Sequence, residues 1–537
     1  MKKLNIKVWA GALAMLLLAS SCEDYLDVNT NPNQATRADV QLVLPQAIVA
    51  TASVANQYNS YGQHFGGYMA NAGGFSGFGT LLNYALQPGD YNALWTVMYQ
   101  DPLADLKYII DETEGNDALA YFNAAAKILS VYNYQKLVDT FGDVPYEQAL
   151  RGEEGILAPT YTPAADIYTD MLATLDEAIA QINDAEFPLR LTKNSDPLFG
   201  AAPTATDRET EDQMLDWQRF ANTLKLKMLI RLSTTTNVTA QYAALSTVLG
   251  LDGNALGFLT DDAIVQPGYD KNKPNPTWNS WGRTPADALS NSSRIPTTFS
   301  FAFYNGLKIS DAGRGETMFV NFPLTPTNQL GNEVNNPFIV SGQVTWASNE
   351  TGLSGTGVLK SPSMGRPLML LAESKFLHAE AQLEGYMAGS YITTYYEGIT
   401  ASFAYLYKND AETVLQPVAP LVASYLSTND NNRLVEIEAA TTDEQRLEAI
   451  ITQKYVANNM VVSDESYNEF RRTGYPVTVK GGLPQFDIAS NKSSITSRPD
   501  NLPTRVMYPS SEQSYNATNY RDIDYTTEKI FWDPAAN

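Results

Sequence analysis

Residues 118–138, ALAYFNAAAKILSVYNYQKLV, decide the fold class. Ala118, Tyr121, Phe122, Ala125, Leu129 and Tyr132 recur at the spacing of one helix face. No proline or glycine breaks the run, and Gly142 and Pro145 close it. The same periodicity returns on either side. Residues 39–57 carry Val40, Val43, Leu44, Ala47, Ile48 and Val54 on one stripe, with Pro45 tolerated near the first turn or kinking it. Residues 90–113 are helical, and 163–182 form an amphipathic helix with Thr162 as its expected cap and Pro163 at its first position. Residues 217–233 place Trp217, Phe220, Ala221, Leu224 and Met228 on one face; 367–384, 391–406 and 443–459 follow. The last of these is the last strong helix expected. The chain is mostly α, with a helical scaffold of successive pairs resembling tetratricopeptide units, though no strict period is legible.

Between the helices lie long polar loops. Residues 58–79 interleave Gly66, Gly67, Gly73, Gly74, Gly77 and Gly79 with Phe65, Tyr68, Phe75 and Phe78, a composition that reads as loop. Residues 187–211, 251–300 and 319–363 are rich in turn formers, with a short strand expected at Phe338-Ile339-Val340; 475–537 is mostly loop. Such a division places binding on the loops.

The formal charge is −23, so the body is a poor partner for nucleic acid and is repelled by anionic headgroups. The single cysteine excludes an internal disulfide, and two histidines, His64 and His378, leave little for a zinc site or a histidine triad; no cofactor or metal is expected. No Gly-rich phosphate loop, His-Glu-x-x-His or Gly-x-Ser-x-Gly pattern is present. Glu373 and Glu380 would lie along one helix, about 10 Å apart by the helical rise, rather than facing each other across a bond. They read as partners of buried cations. Arg471-Arg472 with Glu465 and Glu469 reads as ion pairing at a helix end.

The N-terminus has Lys2, Lys3 and Lys7 before an apolar run that ends at Leu18-Ala19-Ser20-Ser21-Cys22. Basic start, short apolar middle and small residues form a secretory leader, too short to span a bilayer. The placement of the lone cysteine resembles the lipobox of bacterial lipoproteins, which implies acylation of Cys22. Glu23 and Asp24 resemble the signal that sends such lipoproteins of Bacteroidota to the outer face of the outer membrane. The expected organisation is a leader over 1–21, a lipidated tether over 22–35 and one body over 36–537.

Several segments together resemble the SusD/RagB family of nutrient-binding outer-membrane lipoproteins, and most its SusD-like branch. They are the mature start Cys22-Glu23-Asp24-Tyr25-Leu26-Asp27, Leu94-Trp95 with Tyr99, and Phe141-Gly142-Asp143-Val144-Pro145-Tyr146. Trp217-Gln218-Arg219-Phe220 through Lys227, Glu373 through Ala381, Phe470-Arg471-Arg472-Thr473-Gly474 and Arg505-Val506-Met507-Tyr508-Pro509 follow in the family's order. Asp311-Ala312-Gly313-Arg314 departs from the branch's usual Asp-Pro-Arg, and 201–213 looks like an insertion; both are expected in loops. The resemblance implies a binding subunit, not an enzyme, that holds an oligosaccharide over a SusC-like TonB-dependent transporter and closes it like a lid. Peptides or another nutrient are the alternative cargo, and a surface hydrolase is a third reading.

Trp278 and Trp281, in Pro276-Thr277-Trp278-Asn279-Ser280-Trp281-Gly282-Arg283, are the leading binding candidates. Sugar C–H faces stack on indole, and Asn279 and Arg283 can donate to hydroxyls. The rings equally suit pinning the loop to the scaffold. Tyr269 and Asn275 are weaker companions, and Phe75, Phe78 and His64 a second possible wall or a core contact. Trp95 and Trp217 lie on helix stripes and should be core.

Overall fold

The computed structural model describes residues 37–72, 81, 83–201, 207–286, 288–291, 293–324, 329–331, 346 and 355–534. The helix at 118–138 becomes α4 (Ala120–Phe141), and nearly every residue of it is buried. α3 (Ala104–Thr113) packs on one side of it and α5 (Ala164–Asp184) on the other, and α6 (Thr210–Leu232) packs on α5. These helices, consecutive in the chain, are also neighbours in space, as in tetratricopeptide-like pairs. The second half repeats the arrangement. α11 (Leu371–Leu383) pairs with α12 (Tyr391–Tyr407) and with α14 (Asp443–Asn458), which packs on α15 (Ser463–Thr473). α15 in turn lies along α1 (Val40–Phe65) and closes the body.

The shorter elements are α2 (Asn92–Met98), α7 (Thr239–Thr247), α8 (Pro276–Trp281), α9 (Thr298–Phe301), α10 (Ala312–Met318), α13 (Ala419–Thr428) and α16 (Ser510–Tyr515). Strands are few and short. β1 (Met69–Asn71) pairs antiparallel with β5 (Arg294–Pro296), β2 (Val144–Pro145) with β3 (Tyr161–Thr162), and β4 (Ala263–Val265) with β6 (Arg366–Met369). Among the described residues no helix is long and apolar enough to cross a membrane.

The middle of this frame is ionic as well as apolar. Lys136 and Asp139 of α4, Lys227 and Arg231 of α6, Glu373 and Glu380 of α11, Lys454 of α14 and Asp464, Glu465, Glu469, Arg471 and Arg472 of α15 are all buried. Each carboxylate has a cation for it. Lys136 Nζ lies 2.5 Å from Asp464 Oδ2, Lys227 Nζ 2.7 Å from Glu373 Oε1, Lys454 Nζ 2.8 Å from Glu469 Oε1 and Arg472 Nη1 2.6 Å from Glu380 Oε1. Arg231 bridges Asp139 and Glu465. Paired in this way, the charges escape the several kcal/mol that an isolated buried ion costs.

Several expectations need correction. α1 runs on to Phe65 where a loop is expected from residue 58, because Gly62 lets α15 approach; a Cβ there would meet Asp464 N at 1.9 Å. A π-turn, Tyr99–Leu103, interrupts 90–113 at Pro102, which lacks the N–H that an α-ladder needs. Thr162 is not the cap of α5: Pro163 occupies that position, and Asp143 Oδ1 accepts from Ala164 N at 2.9 Å. Asp311 and Arg314 do not sit in a loop. Asp311 caps α10, and its carboxylate holds the fully buried Arg314 Nε at 2.5 Å. α6 begins at Thr210, so the end of the insertion at 201–213 is helix. α15 follows the helix expected to be last, and α13 was not expected. Phe338-Ile339-Val340 lies outside the described residues.

Candidate functional site

The β1–β5 ladder gathers the loops that the sequence singles out. Met69 faces Pro296 and Asn71 faces Arg294, and Ala72 N donates to Ser293 O at 2.9 Å. The start of the Gly-rich stretch thus stands beside the segment that follows Trp278 and Trp281. α8 is local chemistry: Asn275 Oδ1 accepts from Thr277 N (2.7 Å) and Trp278 N (3.1 Å), and Pro276 sits in the first turn. Asn275 Nδ2 donates to Met364 O at 3.0 Å, so this residue is a structural cap. Thr277 Oγ1 donates to Asn56 Oδ1 at 2.9 Å, fixing α8 to α1.

Helical spacing turns Trp278 and Trp281 to the same side, and both are only 8% exposed. A Cβ on Gly282 would come within 2.6 Å of the Trp278 ring, so glycine is required for that indole to tuck under the chain. In this conformation Trp278 pins the loop, the second of the two roles its sequence allows. Trp281 meets Trp346 edge-on, with ring centroids 6.0 Å apart, and Trp346 also neighbours Phe319. Among the described residues the buried Nε1–H groups of Trp281 and Trp346 have no hydrogen-bond partner. Asn279 is exposed beside them, and Arg283 is half-buried where Ser290 N returns to Gly282 O at 2.9 Å.

Tyr269 is 6% exposed, and burial pushes its hydroxyl up to about 12. His64 is core. Its Nδ1 is 2.9 Å from Tyr91 Oη, its ring packs against Phe65 and Tyr84, and burial, then the Arg294 charge, lowers it to about 4. Trp95 and Trp217 are core as expected. Phe75, Phe78 and Cys22 lie outside the described residues.

Trp346 is the residue that sequence reasoning missed. Its signal is the one that exposed Trp278 and Trp281, an indole in a polar, turn-forming stretch. The chemistry available here is recognition: indole edges and N–H donors, an amide and a guanidinium. Glu373 and Glu380 are spent on Lys227 and Arg472. Among the described residues no group of three or more His, Cys, Asp or Glu is placed to hold a metal ion.

No curated protein matches the chain. Solved structures of the same fold include a chitin-binding protein (22% identity, TM-score 0.63, 92% of this chain and 99% of that one). A SusD homolog from Bacteroides fragilis (20%, 0.63, 93% and 100%) and a SusD/RagB family protein from Bacteroides thetaiotaomicron (19%, 0.65, 93% and 100%) also share it. A family model described as SusD-like, starch-binding and associating with the outer membrane matches residues 32–509, nearly the whole of the chain. The fold and the family model agree over nearly the whole chain, and the chain belongs to the SusD-like family, described as starch-binding and associating with the outer membrane.

Proposed function

We propose that this protein is a surface lipoprotein, anchored through an acylated Cys22, that captures oligosaccharide at its loop end. It delivers the cargo to a SusC-like TonB-dependent transporter and closes that barrel as a lid. It performs no chemistry itself. The observation that carries the ligand reading is the Trp281–Trp346 pair, two buried indole donors without acceptors among the described residues. Unpaired buried donors of this kind cost about 1–3 kcal/mol each, and a sugar hydroxyl oxygen offers what they lack. Asn279 and Arg283 flank the pair and add donors at its rim. Trp278 and Tyr269 hold the loops in place for them. Phe75 and Phe78 are a second wall in this reading, with His64 in the core.

Starch appears in the family's description and chitin in the name of one structural neighbour, so malto- and chito-oligosaccharides are the first probes. Saturable binding of one series by the purified protein is expected. Trp281→Phe and Trp346→Phe keep a ring in each position and remove the donor, and each should weaken binding about tenfold. Peptide binding in place of glycan binding would change the cargo, and turnover of a bound oligosaccharide would overturn the non-enzymatic reading. Purification from native cells should yield fatty acid on residue 22 and a co-eluting barrel.

A further inference from the structure

A cavity of about 440 Å³ opens between α6, α7 and α11, sharing no lining residue with the loop end. Its size falls within the range of small-molecule pockets. Leu245, Phe258 and Met387 supply apolar wall, and the Phe258 ring stands 5.0 Å from that of His378. Three polar groups join them. Asn222 is 1% exposed; its Nδ2 donates to Gly257 O at 2.8 Å, and its Oδ1 has no partner among the described residues. Ser374, also 1% exposed, brings a hydroxyl from α11.

His378 brings a donor. Gln382 Nε2 lies 3.1 Å from Ala388 O, which identifies it as the amide nitrogen, and 3.2 Å from His378 Nε2. His378 Nε2 must then accept, and the proton of the neutral ring sits on Nδ1. Burial, then the nearby Lys375 charge, favours that neutral form. The charged groups at the cavity are matched outside it: Arg219 Nη1 lies 3.2 Å from Asp216 and Lys375 Nζ 2.7 Å from Glu397. Among the described lining residues each cation therefore has a carboxylate beside it, and neither is left unpaired for an anion.

We propose that this cavity binds one neutral sugar ring, its C–H face on Phe258, Leu245 and Met387 and its hydroxyls on Asn222 Oδ1, Ser374 and His378 Nδ1–H. The site is independent of the loop-end reading and would be present whatever cargo that end takes.

His64 and His378 are the only histidines, so imidazole NMR resolves the question residue by residue. The protein, labelled at histidine, is titrated with D-glucose, with N-acetyl-D-glucosamine and with D-glucuronate as the charged control. A saturable shift of the His378 ring with a neutral sugar is expected, with His64 unmoved. Ala388→Trp, at the exposed rim, should abolish the shift, whereas Trp281→Phe should leave it intact. No shift with either neutral sugar, a shift that survives Ala388→Trp, or tighter binding of glucuronate would each overturn the proposal. Loss of the shift in Trp281→Phe would do so too, by assigning the effect to the loop end.

Discussion

Glu465 shows how this core is held together. Burial alone would raise its pKa, but Arg231, Lys227 and Lys136 outweigh that and hold it well below the usual carboxylate range. Glu465→Gln keeps the shape and strands three buried cations with one counter-ion fewer. Loss of about 3–5 kcal/mol is expected, read from the urea midpoint at unchanged slope. His64 behaves in the opposite sense. Its folded pKa of about 4 lies below the ordinary 6.5, so between those values the unfolded chain takes a proton that the folded chain refuses. The His64 contribution is constant above pH 6.5 and lowers stability as pH drops from about 6.5 towards 4. His64→Gln, which can still bond Tyr91 Oη, should flatten that fall by about one proton's worth of slope, measured as urea midpoints across pH. His378 is lowered by burial and Lys375 and keeps part of the slope. An unchanged profile in His64→Gln would show that the imidazole titrates alike in both states.

Among the elements, α5 gives the clearest case of a motif explained by what it does. Phe141-Gly142-Asp143-Val144-Pro145-Tyr146 ends α4, forms β2 and sends Asp143 to cap α5. Gly142 has φ +76°, so the backbone favours glycine, and a Cβ there would meet Arg505 Nη1 at 2.8 Å and displace that guanidinium. Asp143→Ala should cost about 1 kcal/mol and speed exchange at the Ala164 amide, with other first-turn amides of the frame unchanged. This is also the scale at which sequence and structure part. Helices such as α4, α5, α12 and α14 were legible because apolar residues recur along them at helical spacing. α15 was not: Ser463–Thr473 reads as polar, yet every residue from Ser463 to Arg472 is buried, and Asp464, Glu465, Glu469 and Arg472 pair with charges on other helices. Hydropathy cannot find an ionic core whose partners are hundreds of residues away, as Lys136 is from Asp464. The candidate site divides in the same way. Its loop aromatics were visible by composition, but which face of Trp278 meets the scaffold depends on Gly282 and α1, and that is tertiary information.

Across the whole molecule, one apolar core cluster runs from Val40 near the first described residue to Trp532 near the last. Much of the chain after residue 475 lacks regular structure, yet it is bound into the helical frame. Ser494 N donates to Asn83 O, Tyr508 Oη to Asp143 O and Tyr467 Oη to Pro503 O. Trp532 is the innermost of these contacts. It is fully buried, its Nε1 donates to Asp139 Oδ1 at 2.8 Å, and Arg471 and Arg231 lie over its ring at 4.9 and 5.7 Å. Asp139 also accepts from Tyr168 Oη and pairs with Arg231, so the C-terminal indole completes a junction of α4, α5 and α6. Trp532→Ala would open a large cavity there and remove a donor from a buried carboxylate, a loss of about 3–5 kcal/mol. If 36–537 is one cooperative body, that loss should appear everywhere at once. Far-ultraviolet circular dichroism and tryptophan fluorescence should report a single shared urea transition in wild type, displaced in parallel in the variant. Transitions that separate, or a chain cut after residue 529 that unfolds at the wild-type midpoint, would mean that the C-terminal segment is an independent wrapping and not a part of the core.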